Sequence, residues 1–163
     1  MIFNRIIQFV VLLFVQALVL NHVHLFNVAT PLLYVSLAFS FPRNYPRWAT
    51  LLWCFCMGLC VDIFSNTPGV AAGAMTVVGL LQPYLIQLYI PRDAADDFTM
   101  KFSTVGVNSF ISYCAILVLT FCLLFFTLEA FNFFNWFQWL LCIVTSTLLT
   151  LLLTLVIENL FRK

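Results

Sequence analysis

The sequence predicts an all-α integral membrane protein, a bundle of about six transmembrane helices forming one polytopic domain over residues 1–163. Three observations carry this expectation. Apolar residues make up 64% of the 163 and charged residues only 8%, far below the roughly one-quarter charged that covers a soluble core. The apolar residues fall into runs close to the ~20 residues that a helix needs to cross the hydrocarbon layer. The 7 Lys and Arg residues are confined to alternate connections between those runs, as membrane topology requires.

The first span is expected at about 4–20. Its apolar run continues into Asn21-His22-Val23-His24 rather than a small-x-small cleavage pattern, so it reads as a retained anchor. Pro31 opens a short second span, about 30–41, and part of 21–30 is therefore also expected at membrane depth. Pro42-Arg43-Asn44-Tyr45-Pro46-Arg47 breaks the chain. A third span, about 48–64, ends in Ser65-Asn66-Thr67-Pro68-Gly69, and a fourth runs from about 70 to 90. Residues 91–103 are the long charged segment. The fifth span is placed at about 104–128 and the sixth at 136–160, before Phe161-Arg162-Lys163.

With an even number of spans, Arg5, Arg43, Arg47, Arg92, Lys101, Arg162 and Lys163 all fall on one side, while the loops 21–30, 65–69 and 129–135 hold no Lys or Arg. The positive-inside rule then predicts that both termini are cytoplasmic. A net charge of +1 leaves no basis for a nucleic-acid partner; lipid is the surrounding medium. Trp48, Trp136 and Trp139 stand at span ends, where amphipathic rings favour the interface.

Helices in lipid associate through small residues and polar contacts. Four stripes offer such faces: Cys54, Gly58 and Asp62; Gly69, Gly73 and Thr76; Asn108, Ser112, Ala115, Cys122 and Glu129; Thr147, Thr150, Thr154 and Glu158. Each is expected to point inward. Gln8 and Gln16 are expected to bond across helices. Asp62 and Glu129 are the intramembrane carboxylates, and such groups are functional candidates by default. Both lie near helix ends. For Asp62 the ordinary role is to cap the fourth helix, with Thr67 as N-cap and Pro68 at the first helical position; partner or ligand contact and proton or ion transport are the alternatives. Under capping, Asp62→Asn is expected to be mild, at ~0.3–1 kcal/mol.

Six cysteines sit in apolar runs and behave as small hydrophobes, and Cys54-x-Cys56 lacks the spacing of a zinc site. His22-x-His24 would need further ligands to hold a metal, with Asp62 and Glu129 the only candidates. No nucleophile stands at a suggestive spacing from a base, and no phosphate-binding glycine loop is present. A non-enzymatic chain without cofactor or metal is the expectation, with Gly58, Asp62, Pro68, Gly69, Gly73, Glu129 and Glu158 as structural or partner-contact candidates.

The stretch from Gly58 to Gly69, Gly-Leu-Cys-Val-Asp-Ile-Phe-Ser-Asn-Thr-Pro-Gly, is followed by Ala71 and Ala72. With Asn21-His22-Val23-His24-Leu25-Phe26, Ala29 to Tyr34, Gln82-Pro83-Tyr84-Leu85, Pro91-Arg92-Asp93, Leu128 to Phe131, Ser146 to Thr150 and Phe161-Arg162-Lys163, it resembles the rod shape-determining protein family MreD, particularly its Bacteroidetes form. The resemblance covers essentially the whole chain in order, and departs at Gln82, where a basic residue is expected. It implies a subunit of the bacterial elongation machinery in the cytoplasmic membrane, binding MreC and helping to couple MreB to the glycosyltransferase RodA and its transpeptidase partner. It also implies a bundle similar to the substrate-binding subunits of energy-coupling-factor vitamin transporters. A small-ligand-binding transporter subunit is accordingly the alternative, and a proton-coupled carrier a third class.

Overall fold

A computed structural model describes residues 2–19, 31–90, 99, 105–130 and 135–160. Among them the secondary structure is entirely helical. We label the α-helices α1 (Ile2–Phe14), α2 (Ser36–Phe39), α3 (Arg47–Ser65), α4 (Val70–Tyr89), α5 (Val107–Ala130) and α6 (Trp136–Leu160). α1 runs on into a π-turn at Val15–Val19, and a 3₁₀ turn, Leu33–Val35, leads into α2. The loop 21–30 with His22 and His24, most of the charged segment 91–103, and Phe161-Arg162-Lys163 lie outside the described residues.

Four helices, α3 to α6, are long and apolar enough to cross a membrane, and Phe3–Leu18 is a shorter apolar helix. The chain is a multi-pass membrane protein. Its outer surface is correspondingly greasy: Phe137, Ile63, Phe3, Leu88 and Leu148 are exposed, a liability in water and the normal state against lipid.

The expected second span does not form a full-length helix in its described part. Leu33–Phe39 is only one 3₁₀ turn and one α-turn, about 12 Å at 1.5–2 Å per residue, against the ~30 Å of a hydrocarbon core. This segment lies instead in the middle of the bundle: Tyr34, Val35 and Ala38 are fully buried and Phe41 nearly so. α5 lines it with rings packed edge-on, Tyr34 against Phe121 at 5.4 Å and Phe39 against Tyr113 at 6.0 Å between centroids, the geometry that aromatic quadrupoles prefer.

Around this insert, α3 and α4 form the most extensive helix pair, α5 packs on α4, and α6 on α5. The stripes on α3 and α6 face inward as expected, with Cys54, Gly58, Asp62, Thr147, Thr150 and Thr154 all buried. The stripes on α4 and α5 do not. α4 buries Ala71, Ala72, Ala74, Met75, Val78, Gly79, Gln82 and Ile86, leaving Gly69 exposed and Gly73 and Thr76 at the margin. α5 buries Phe110, Tyr113, Cys114, Leu117, Val118, Phe121, Cys122 and Phe125, while Asn108, Ser112 and Glu129 are exposed. The reason is volume. The rings of the insert pack on this face of α5, and rings fill the contact where small residues would leave voids.

Candidate functional site: the Asp62 turn and the buried insert

α3 ends at Ser65, and Asn66 turns the chain in the left-handed region at φ 57° and ψ 36°, a conformation that Asn tolerates. The N–H groups of Asn66 and Thr67 both donate to the Asp62 carbonyl. Thr67-Pro68-Gly69-Val70 then has the pattern of a type II turn: Pro second, Gly third with φ 86° and ψ −7°, and Val70 N–H donating to the Thr67 carbonyl at 3.4 Å. This corrects the expected cap. Gly69, not Thr67, is the N-cap of α4, and Pro68 precedes it rather than opening the helix, because only glycine takes that positive φ without strain.

The Asp62 carboxylate sits over this turn. Its Oδ1 accepts from the Thr67 hydroxyl at 3.1 Å and Ala71 N–H at 2.9 Å; its Oδ2 accepts from Gly69 N–H at 3.1 Å and Ala72 N–H at 2.9 Å. Three of the donors are main-chain groups that the first turn of α4 cannot satisfy internally, and the negative group complements the positive helix end. A carboxylate offers about four acceptor positions, and all are taken. Asp62 is 3% exposed, so the residue acts as the rivet of the α3–α4 hairpin.

Gly58, one turn earlier, makes the rivet reachable. A Cβ there would lie 2.5 Å from Ala72 Cα and 2.6 Å from the Ala71 carbonyl oxygen, so α3 and α4 touch backbone to backbone. Further along, a Cβ on Gly79 would meet Cys54 Sγ at 3.0 Å. Among the described residues the expected close approaches at Gly69 and Gly73 are absent, since a Cβ at Gly69 meets nothing within 4 Å and one at Gly73 only a Leu128 methyl at 3.7 Å. Gly79 was not among the sequence candidates; its i+7 spacing from Ala72 and i+4 from Met75 on the buried face was the available signal.

The buried insert is held differently. Irregular backbone inside a membrane protein needs protein partners, and here they come from other helices. Gln16, 1% exposed in the π-turn of α1, donates Nε2 to the Pro31 carbonyl at 3.0 Å and accepts Leu33 N–H on Oε1 at 3.1 Å. The Thr150 hydroxyl of α6 accepts Leu32 N–H at 3.1 Å. At the other end, Gln82 of α4 donates to the Phe41 carbonyl at 3.1 Å and Gln8 of α1 to the Ser40 hydroxyl. Gln8 and Gln16 thus do bond across helices, and Gln82 serves the insert's main chain.

Glu129 is exposed near the end of α5 and Glu158 half-buried on α6; neither takes part in the Asp62 hydrogen bonds. Among the described residues no three His, Cys, Asp or Glu side chains are grouped to hold a metal, and the six cysteines are free thiols. No protein-family model, curated protein or solved structure matches the chain.

Proposed function

We propose that the chain is an MreD-type subunit of the bacterial elongation machinery, with both termini cytoplasmic, no chemistry of its own, and a lipid-facing surface that binds MreC and links MreB to RodA and its transpeptidase partner. The observation that supports this reading is where the resemblance is densest. Residues 58–72 are the ones in which Gly58, Asp62, Thr67, Gly69, Ala71 and Ala72 build a single rigid hairpin. A motif spent wholly on shape suits a scaffold better than a catalyst or carrier, because a carboxylate with every acceptor position occupied has none left for a substrate or a relayed proton.

The test is depletion in the native bacterium together with affinity purification from its membranes. Rounded, lysis-prone cells and recovery of MreC are expected. Normal shape with loss of uptake of one nutrient would favour the second reading, a small-ligand-binding transporter subunit. That reading draws on the Tyr34 hydroxyl, fully buried at the bundle centre without a hydrogen-bond partner among the described residues, and predicts a vitamin-like molecule copurifying in place of MreC.

A further inference from the structure

The first 61 residues contain no acidic residue, and Asp62 is the first in the chain. Three arginines in this stretch gather at one end of the bundle. The Arg5 guanidinium of α1 lies 4.9 Å from the Phe41 ring centroid and 4.6 Å from that of Tyr45. Arg43 belongs to the same turn, and Arg47, opening α3, lies 5.4 Å from the centre of the Tyr84 ring. Asp62 is 15 residues further along α3, roughly 22 Å away at 1.5 Å per residue. Beside Arg47, Trp48 is 72% exposed, which sets this end at headgroup depth.

We propose that this end of the bundle binds the phosphate of an anionic phospholipid, with Arg5 as the principal contact and Arg43 and Arg47 adding charge. The Arg5 guanidinium lies over two rings, and the planar N–H fork of an arginine matches two phosphate oxygens. Gln8, one turn along α1, bonds Ser40 and fixes the helix against the turn that carries both rings. The site is thus assembled before any lipid arrives. It depends on the membrane setting and stands apart from any role in cell shape.

The test is lipid retention by the purified full-length chain, presented with equal amounts of phosphatidylglycerol and phosphatidylcholine and read by native mass spectrometry, with circular dichroism checking the fold. Wild-type protein should retain phosphatidylglycerol about fivefold or more over phosphatidylcholine, at least the contribution of one arginine at an anionic surface. Arg5→Gln should abolish the preference. Arg5→Lys should lose most of it, since an ammonium keeps the charge but not the fork; full retention by Arg5→Lys would overturn the proposal, as would a wild type with no preference. Displacement of the phospholipid by millimolar inorganic phosphate would also overturn it, pointing to a free anion. Should Arg5 variants fail to fold, Arg43→Gln and Arg47→Gln on the surface decide the matter: each should weaken retention, and an unchanged preference in both would sink the idea.

Discussion

The α3–α4 turn and the buried insert face the same difficulty, main-chain groups without helical partners inside an apolar bundle, and they meet it in opposite ways. At the turn, one carboxylate serves donors five to ten residues away in sequence. In the insert, three side chains on α1, α4 and α6 reach segments 15 to 118 residues away to bond its main chain. The first arrangement concentrates the hydrogen bonds in one residue and is brittle. The second spreads them and should degrade gradually. Orphaned groups cost more than made bonds gain, so the number of orphans created by one substitution sets its severity.

The sharpest way to break the contrast is Asp62→Leu. It strands the Thr67, Gly69, Ala71 and Ala72 donors together, and with ~1 kcal/mol or more for each the loss should be about 4 kcal/mol, read as a collapse of the melting transition in detergent and of protein level in cells. The same geometry reverses the sequence-based expectation for Asp62→Asn. Because both oxygens are acceptors in the native structure, the amide nitrogen would be set against two further N–H or O–H donors whichever way it turned. A loss of about 2 kcal/mol is expected, and a melting temperature equal to wild type would show that one oxygen is dispensable.

Gly58→Ala falls between these two, at about 3 kcal/mol if the helices must part and less if Ala72 can slide. Gly79→Ala meets a sulfur at 3.0 Å rather than backbone, so it should cost clearly less, about 1 kcal/mol. Comparing the two by thermal unfolding tests whether the hairpin is tightest at its turn end. Equal losses would mean that it is not.

The insert gives effects comparable to that of Gly79→Ala. Gln16→Leu and Thr150→Val should each cost about 0.6–1.7 kcal/mol, the range of single polar contacts between membrane helices. Their combination should depart from additivity, because they bond consecutive residues of one short segment. A double variant as damaging as Asp62→Leu would erase the distinction between concentrated and distributed support.

The hairpin could be read from the sequence and the insert could not, and the difference is one of range. Gly58, Asp62 and Gly69 announce a tight turn because their partners lie within about 14 residues, across a single turn, where helical spacing and turn chemistry are enough. The exact cap was misjudged because Pro68 suits both a first helical turn and the second position of a type II turn; the φ of Gly69 chose between them. Nothing local to Leu32, Leu33 or Phe41 indicates that Gln16, Thr150 and Gln82 will meet them. On α5 the pattern of small residues points to the wrong face because the packing of the insert, absent from any periodicity, rewards rings.

The bond between Leu32 and Thr150 has a consequence for how the chain is made. Its two ends are separated by 118 residues, roughly 6–24 s of elongation at 5–20 residues per second. Throughout that interval the nascent protein carries an amide at membrane depth that Thr150 cannot yet answer, although the α3–α4 hairpin is finished about halfway through it. The final helix is therefore the latch of the bundle. A ribosome stalled before residue 150 would leave a half-built protein open at its centre, recognisable to the quality-control proteases of the membrane.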